Sequence, residues 1–183
     1  YLSGSRTYPE GSQYTSYMWH HDNEGCKVIH FFDGRAESDC DLDPDSGRYL
    51  SGSRTYPEDS HYTSYTWHHD ADGCKVTEYD DGKTWRDCDY DPDSGRYLSG
   101  SVTWPEGSHY TSYMWHHDAD GCKVTEYDDD ETKRECDLDP DTWEYLSGSR
   151  TYPEGSDQTS YRWHTDADGC KVTQFDDGET WRE

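Results

Sequence analysis

Polar and apolar residues alternate over short segments of this chain, and turn residues interrupt the alternation every ten to twelve positions. The stretch 49–96 shows this pattern most clearly, because its Tyr, Thr, Trp and Val residues concentrate in four runs. These runs are 49–56, 61–70, 74–79 and 83–90. Such runs, bounded by Pro, Asp and Gly, are typical of strands, and the frequent Pro and Gly exclude long helices. The pattern predicts a four-stranded antiparallel meander.

The same 48-residue pattern is written almost four times, and each copy opens with Tyr-Leu-Ser-Gly-Ser. The copies are 1–48, 49–96, 97–144 and 145–183, of which the last is incomplete. The second and third copies are identical at 36 of 48 positions. Tandem repeats of this length indicate an array in which each unit packs on its neighbours. We therefore predict an all-β fold forming a linear or winding β array, with a four-bladed β-propeller as the alternative.

Cysteine spacing supports this arrangement of strands. If Asp80-Asp81-Gly82 is a three-residue hairpin loop, Tyr79 faces Lys83, and the same register brings Cys74 opposite Cys88. The equivalent hairpins bring together Cys26 with Cys40 and Cys122 with Cys136. A linkage between successive repeats, such as Cys40 with Cys74, stays open because spacing alone does not fix connectivity.

Cys170 has the same place in the fourth repeat, and its partner would be the residue after Glu183, outside the chain. We therefore expect the sequence to be a segment of a longer array. Because disulfides persist in oxidising compartments, we also expect an extracellular or cell-surface location.

The composition makes a large aliphatic core unattainable. Leu, Ile, Val and Phe make up only 15 of 183 residues, and 41 acidic residues outnumber 16 basic ones, for a net charge of −25. Such values are typical of disorder, but 17 Tyr, 8 Trp and 7 Cys at regular positions predict a fold held by aromatic packing and disulfides. The charge argues against nucleic acids and anionic membranes as partners, and no apolar run is long enough to insert into a membrane.

Acidic turns are the candidate metal sites. Asp-x-Asp-Gly and Asp-x-Asp-Pro-Asp turns recur, and clustered carboxylate oxygens suit Ca²⁺. The candidate ligands are Asp70, Asp72, Asp91, Asp93, Asp118 and Asp120. The alternative is that Asp and Gly only form turns. The adjacent histidines of Trp-His-His-Asp point to opposite faces of a strand, so a transition-metal site there would need a ligand from another strand or chain. The favoured alternative is that these histidines only stack with Tyr and Trp in the sheet.

Rows of aromatic residues are the candidate contact surface, either for packing between repeats or for stacking on glycans. They are Tyr17, Trp19, Tyr65, Trp67, Tyr113, Trp115, Tyr161 and Trp163. We expect no enzyme, because the sequence contains no phosphate-binding loop, dinucleotide fingerprint or nucleophile elbow. The many Ser and Thr residues are candidates for O-glycosylation.

Two segments share the same order of aromatic residue, Asp, acidic turn, Gly, basic residue and strand. They are Tyr90-Asp91-Pro92-Asp93-Ser94-Gly95-Arg96-Tyr97-Leu98-Ser99 and His69-Asp70-Ala71-Asp72-Gly73-Cys74-Lys75-Val76-Thr77-Glu78-Tyr79. This order resembles the tyrosine-aspartate (YD) repeats of RHS-type proteins. The resemblance implies a winding β-sheet array whose repeats are not themselves catalytic.

These observations favour a structural element of an extracellular filament or surface fibre, whose partner is itself through neighbouring repeats or chains. The alternative is a carbohydrate-binding, lectin-like repeat module that binds glycans with or without Ca²⁺. A third hypothesis is an acidic protein that sequesters cations or associates with mineral.

Overall fold

The computed structural model describes residues 3–183, so Tyr1 and Leu2, which open the first repeat, lie outside the described part. Within residues 3–183 there are sixteen strands and no helix, and the antiparallel sheet order follows the chain order. The predicted all-β meander array is therefore confirmed. Contacts divide the chain into two compact units, Tyr1–Arg86 and Asp87–Glu183. The division falls inside the second repeat and not at a repeat boundary.

The first unit contains β1 (Ser3–Arg6), β2 (Tyr17–His21), β3 (Lys27–Phe31), β4 (Ala36–Leu42), β5 (Tyr49–Thr55), β6 (Tyr65–His69) and β7 (Lys75–Tyr79). Strand β8 (Thr84–Asp91) spans the division. The second unit contains β9 (Arg96–Thr103), β10 (Tyr113–His117), β11 (Lys123–Tyr127), β12 (Thr132–Leu138), β13 (Tyr145–Thr151), β14 (Tyr161–Thr165), β15 (Lys171–Phe175) and β16 (Thr180–Arg182).

The hairpin turns have the predicted geometry. The Tyr79 N–H donates to the Lys83 carbonyl oxygen at 2.9 Å, and Gly82 has φ of 85°, the left-handed conformation that glycine adopts without strain. The resulting register places Lys27 opposite Asp39 in the first repeat and Lys123 opposite Glu135 in the third. A short acidic turn therefore sets the cross-strand pairing in each hairpin.

Disulfides follow from that register. The structure joins Cys26 to Cys40 and Cys122 to Cys136, with S–S distances of 2.05 and 2.07 Å. Cys74 and Cys88 are also disulfide-bonded. Among the described cysteines, Cys170 carries the free thiol. The expected disulfide-containing fold is confirmed, and three disulfides indicate a non-reducing environment.

The second strand of each repeat is shorter than predicted. In the second repeat it covers 65–69 and not 61–70, because 56–64 forms a loop. The Ser64 hydroxyl accepts the Tyr56 N–H at 2.9 Å, and the Ser60 hydroxyl accepts the Tyr62 N–H at 3.1 Å. The rings of Tyr56 and Tyr62 pack at 5.2 Å between centroids. These local bonds satisfy backbone donors that a strand would otherwise use.

Successive repeats join through ordinary antiparallel ladders. Strand β4 pairs with β5 in the first unit and β12 with β13 in the second, so the last strand of one repeat is hydrogen-bonded to the first of the next. In a propeller, each four-stranded blade is a separate sheet arranged around a central channel. The four-bladed propeller alternative is therefore wrong.

Each unit is a single layer in which described strands contact only their neighbours in the sheet. No described side chain has less than 2% of its surface exposed. The buried residues gather mainly around the disulfides; they are Cys26, Cys74, Thr77, Val102, Cys122, Thr125 and Cys136. A single-layered sheet cannot form a large apolar core, so cross-links and cross-strand contacts must stabilise it.

Candidate functional site

One face of the sheet, here called the aromatic face, carries the Tyr and Trp of the second strand of each repeat. Each of these Tyr rings packs against an aromatic ring on the third strand. The pairs are Tyr17–Phe31, Tyr65–Tyr79, Tyr113–Tyr127 and Tyr161–Phe175, with ring centroids 5.6, 5.3, 5.4 and 5.4 Å apart. Burial raises the pKa of the Tyr113 hydroxyl. Cross-strand aromatic pairs of this kind stabilise a sheet by about 0.2–1 kcal/mol each.

The tryptophans lie over glycine. A Cβ atom added to Gly52 would be 2.8 Å from Nε1 of Trp67, and one added to Gly148 would be 2.9 Å from Nε1 of Trp163. The Lys75 Nζ lies 5.2 Å from the Trp67 ring centroid. The glycine of Tyr-Leu-Ser-Gly-Ser therefore makes room for an indole on the next strand. All eight residues predicted as the aromatic contact surface are half-buried. The contacts described above join strands of the same repeat, so packing between repeats and stacking on glycans stay predictions.

The Asp-x-Asp-Gly turns are closed by arginine. Oδ1 of Asp118 accepts the N–H groups of Asp120 and Cys122 at 3.0 Å. Nε–H of Arg134 donates a hydrogen bond to Oδ2 of Asp118 at 2.8 Å, and Nη2–H of Arg134 donates to Oδ2 of Asp120 at 2.8 Å. The hydrogen bond from Arg134 holds the pKa of Asp118 below its usual value. Carboxylate oxygens that Ca²⁺ would need are thus engaged by a guanidinium.

The same arrangement recurs in the second and fourth repeats. Arg86 forms ion pairs with Asp70 and Asp72, with Nη2 at 2.9 Å from Oδ2 of each. Arg182 forms ion pairs with Asp166 and Asp168, with N–O distances of 2.8 and 2.7 Å. The sequence reasoning missed these contacts, although an arginine at the same position of three repeats was the available signal.

The other predicted calcium ligands also form a turn. Oδ1 of Asp91 accepts the Asp93 N–H at 3.1 Å, and Oδ2 accepts the Ser94 N–H at 3.2 Å. The side-chain hydrogen bond from Ser94 lowers the pKa of Asp91. These contacts account for the clustered aspartates as turn residues, and calcium binding stays a prediction.

The first repeat has Ser38 where the other repeats have arginine. Its turn gathers Asp22, Glu24 and Cys26, with potential ligand atoms within 4.8 Å of one another. However, Oδ1 of Asp22 accepts the Glu24 and Cys26 N–H groups at 2.9 Å, and the Cys26 sulfur is in a disulfide. This cluster is therefore better described as a hydrogen-bonded turn than as a metal centre.

Ion pairs strengthen the junctions between repeats. Arg54 on β5 reaches back to Asp39 at 2.8 Å and Glu37 at 3.5 Å on β4. In the second unit, Nε of Arg150 lies 2.7 Å from Oε1 of Glu131. This hydrogen bond raises the pKa of Arg150 further above its already high value. The junctions thus combine backbone pairing with charged side-chain contacts.

An open hollow lies beside the loop at 56–64, here called the proline-loop hollow. Its volume is about 620 Å³, and its lining residues are Asp33, Arg35, Tyr56, Pro57, Asp59, Ser60 and Tyr62. Tyr62 is 71% exposed. The equivalent hollow of the second unit, lined by Tyr152, Pro153 and their neighbours, has about 390 Å³ and carries Gln158 in place of Tyr62. An exposed aromatic ring beside carboxylates and an arginine can contact both apolar and polar groups of a ligand.

The fold and the site define a disulfide-stabilised, tandem β-meander repeat protein. Across residues 3–183, no helix has the length and apolar character needed to span a membrane. No protein-family model matches the chain. A search of curated proteins also finds no match.

Solved structures give distant matches. The TCP10 domain of Danio rerio CPAP, solved with a STIL peptide, is 18% identical over 99% of this chain and 88% of that chain, with a TM-score of 0.40. The TCP domain of Drosophila melanogaster SAS-4, solved with a proline-rich motif of Ana2, is 13% identical over 97% and 96%, with a TM-score of 0.37. Likenesses at these identities and TM-scores do not bear on the function of this chain.

Proposed function

We propose that this chain is a structural segment of an extracellular filament or surface fibre, in which tandem repeats propagate an antiparallel sheet. The observation that carries the proposal is the repeat junction. The ladders β4–β5 and β12–β13 are antiparallel, like the ladders inside the repeats. Arrays in which each unit contacts only its neighbours can grow by adding units without a new kind of interface.

The partner we propose is another copy of the same repeat, in the same chain or in a neighbouring one. An edge strand exposes unpaired N–H and C=O groups that can pair with a further strand. The net charge of −25 would oppose lateral association between fibres and keep them hydrated. The disulfides support an oxidising setting outside the cell. Such a role requires no catalysis, and we propose none.

Electron microscopy of material from the natural source tests the proposal. Long fibres with an axial repeat commensurate with the 48-residue unit are expected. Recombinant chains of two, four and six repeats provide a second test, because small-angle scattering should show a maximum dimension that increases linearly with repeat number. Discrete compact particles, with a dimension that increases much more slowly, would contradict the structural role.

Carbohydrate binding is the second candidate function, and the proline-loop hollow favours it. The exposed ring of Tyr62 is backed by Tyr56, and Asp33, Arg35 and Asp59 offer hydrogen-bonding groups around it. A glycan array followed by calorimetric titration, with and without Ca²⁺, tests this function. The matched variant Tyr62→Gln copies Gln158 of the fourth repeat and should weaken binding. Absence of any glycan hit would remove this candidate.

A further inference from the structure

Two histidines of the first repeat lie side by side on the face opposite the aromatic face, here called the histidine face. The rings of His20 on β2 and His30 on β3 are 5.6 Å apart between centroids and only 11° from parallel. In the ladder, His20 is opposite Val28 and His30 is opposite Met18, so the two histidines are diagonal neighbours. The third strand thus supplies the second imidazole on this face, which the adjacent residue His21 cannot supply.

The surroundings of this pair suit a bound cation. Its cross-strand neighbours on the same face are uncharged: Ser3 and Ser5 on β1, and Ala36 and Ser38 on β4. His30 is exposed and His20 is half-buried, so a small ion can reach both rings. Among these described neighbours no cationic group would repel the ion, and the chain as a whole carries a net charge of −25.

The other repeats differ at these positions. Where the first repeat has His30, the later repeats have Glu78, Glu126 and Gln174. Where it has Ser38, they have Arg86, Arg134 and Arg182. Compared with the later repeats, the first repeat therefore has an additional imidazole and lacks a nearby guanidinium. Both differences favour the binding of a cation by nitrogen ligands.

We propose that His20 and His30 form a two-histidine site for a divalent transition-metal ion. Imidazole nitrogens bind such ions at about 2.0–2.1 Å, and the χ2 torsion of histidine is broad, so each ring can rotate to direct a nitrogen at a shared ion. Among first-row divalent ions, Cu²⁺ binds nitrogen sites most tightly. Water completes the coordination, since the site is open to solvent. This inference is independent of the proposed fibre role.

Titration of the full chain with Cu²⁺, followed by calorimetry and electron paramagnetic resonance, tests the site. We expect a tightest step of one ion per chain whose spectrum shows two nitrogen ligands from imidazole. The variant His30→Gln copies Gln174 of the fourth repeat and should fold normally. Loss of an outer-shell partner alone costs about 10–100-fold in metal affinity, so loss of this ligand should weaken the tightest step at least tenfold.

Two further variants complete the design. His21→Thr copies Thr165 of the fourth repeat and removes an imidazole from the aromatic face, so it should leave the tightest step unchanged. The double variant Glu126→His with Arg134→Ser copies His30 and Ser38 of the first repeat, places an imidazole diagonal to His116 without the neighbouring guanidinium, and should add a second step. The proposal is overturned if His30→Gln leaves the tightest step intact, if His21→Thr removes it, or if the double variant adds none.

Discussion

Replacing Gly148 by alanine tests whether β13 needs a residue without a side chain at the point where it lies between β12 and β14. Gly148 lies opposite Glu135 on β12 and Trp163 on β14. An added Cβ would be 2.9 Å from Nε1 of Trp163, against about 3.5 Å or more for a favourable contact, and would overlap the backbone carbonyl oxygen of Arg134. Overpacking of this kind destabilises the folded state by about 1–3 kcal/mol. Alanine also lowers the conformational entropy of the unfolded chain relative to glycine, which offsets about 0.4–1 kcal/mol of that loss.

We therefore expect a net destabilisation of about 1–2 kcal/mol from Gly148→Ala. Amide hydrogen exchange is the suitable assay, because it measures opening strand by strand in a repeat protein that need not unfold as one unit. Exchange in β13 and β14 should accelerate about 5–30-fold, the factor that 1–2 kcal/mol represents.

Gly4 on β1 offers a matched control for this experiment. A Cβ there would meet the side chain of Trp19, with its nearest atom at 2.7 Å, and no backbone atom is among its nearest neighbours. Because an indole can move more easily than a backbone carbonyl, Gly4→Ala should change exchange in β2 by less than about threefold, or roughly 0.5 kcal/mol. Equal effects of the two substitutions would refute the reasoning from the carbonyl overlap.

Further predictions concern cross-links and ion pairs. Replacing Cys122 and Cys136 by serine should destabilise the third repeat by about 3 kcal/mol, the chain-entropy value for a loop of this length, as measured by exchange in β11 and β12. The hydrogen bond from Arg134 lowers the pKa of Asp118 in the folded state. The stabilisation from this hydrogen bond is therefore fully present above the pKa that Asp118 has in the unfolded chain, and it disappears as pH falls through the lower pKa of the folded state. In Arg134→Ser this acid-side loss should be smaller, as urea midpoints measured against pH would show. The ion pair of Arg150 with Glu131 should make amide exchange in β13 depend on salt concentration, because salt screens the pair. Arg150→Val, which copies Val102 of the third repeat, should abolish this dependence.

The hairpins could be predicted from sequence because their determinants are local. A turn such as Asp80-Asp81-Gly82 fixes its own geometry, and with it the pairing of the flanking strands over a few residues. That register was sufficient to bring Cys26 opposite Cys40 and Cys122 opposite Cys136. It also identified each repeat as a meander, since the turn residues recur at the same positions.

Contacts that depend on strand pairing outside these hairpins could not be predicted from the local turn residues. The contact of Trp67 with Gly52 requires the register between β5 and β6, which a nine-residue loop joins without a short diagnostic turn. The start of β6 was misplaced for the same reason, since Ser60 and Ser64 bond backbone groups of the loop. The bonds of Arg86 to Asp70 and Asp72 span 16 and 14 residues, and the sequence offers many other carboxylates as partners.

The two faces of the sheet differ in how strongly each position restricts the residue type. Every repeat has Tyr and Trp at the same positions of the aromatic face, and Gly opposite the Trp, because an indole, a glycine and a neighbouring ring must fit together. On the histidine face, the position of Met18 is occupied by Thr66, Met114 and Arg162 in the later repeats. These side chains project from a single-layered sheet toward solvent, where size and charge are weakly restricted. A role common to all repeats is therefore expected to depend on the aromatic face and the ladders. A property of one repeat, such as metal binding by His20 and His30, can arise on the histidine face without disturbing the fold.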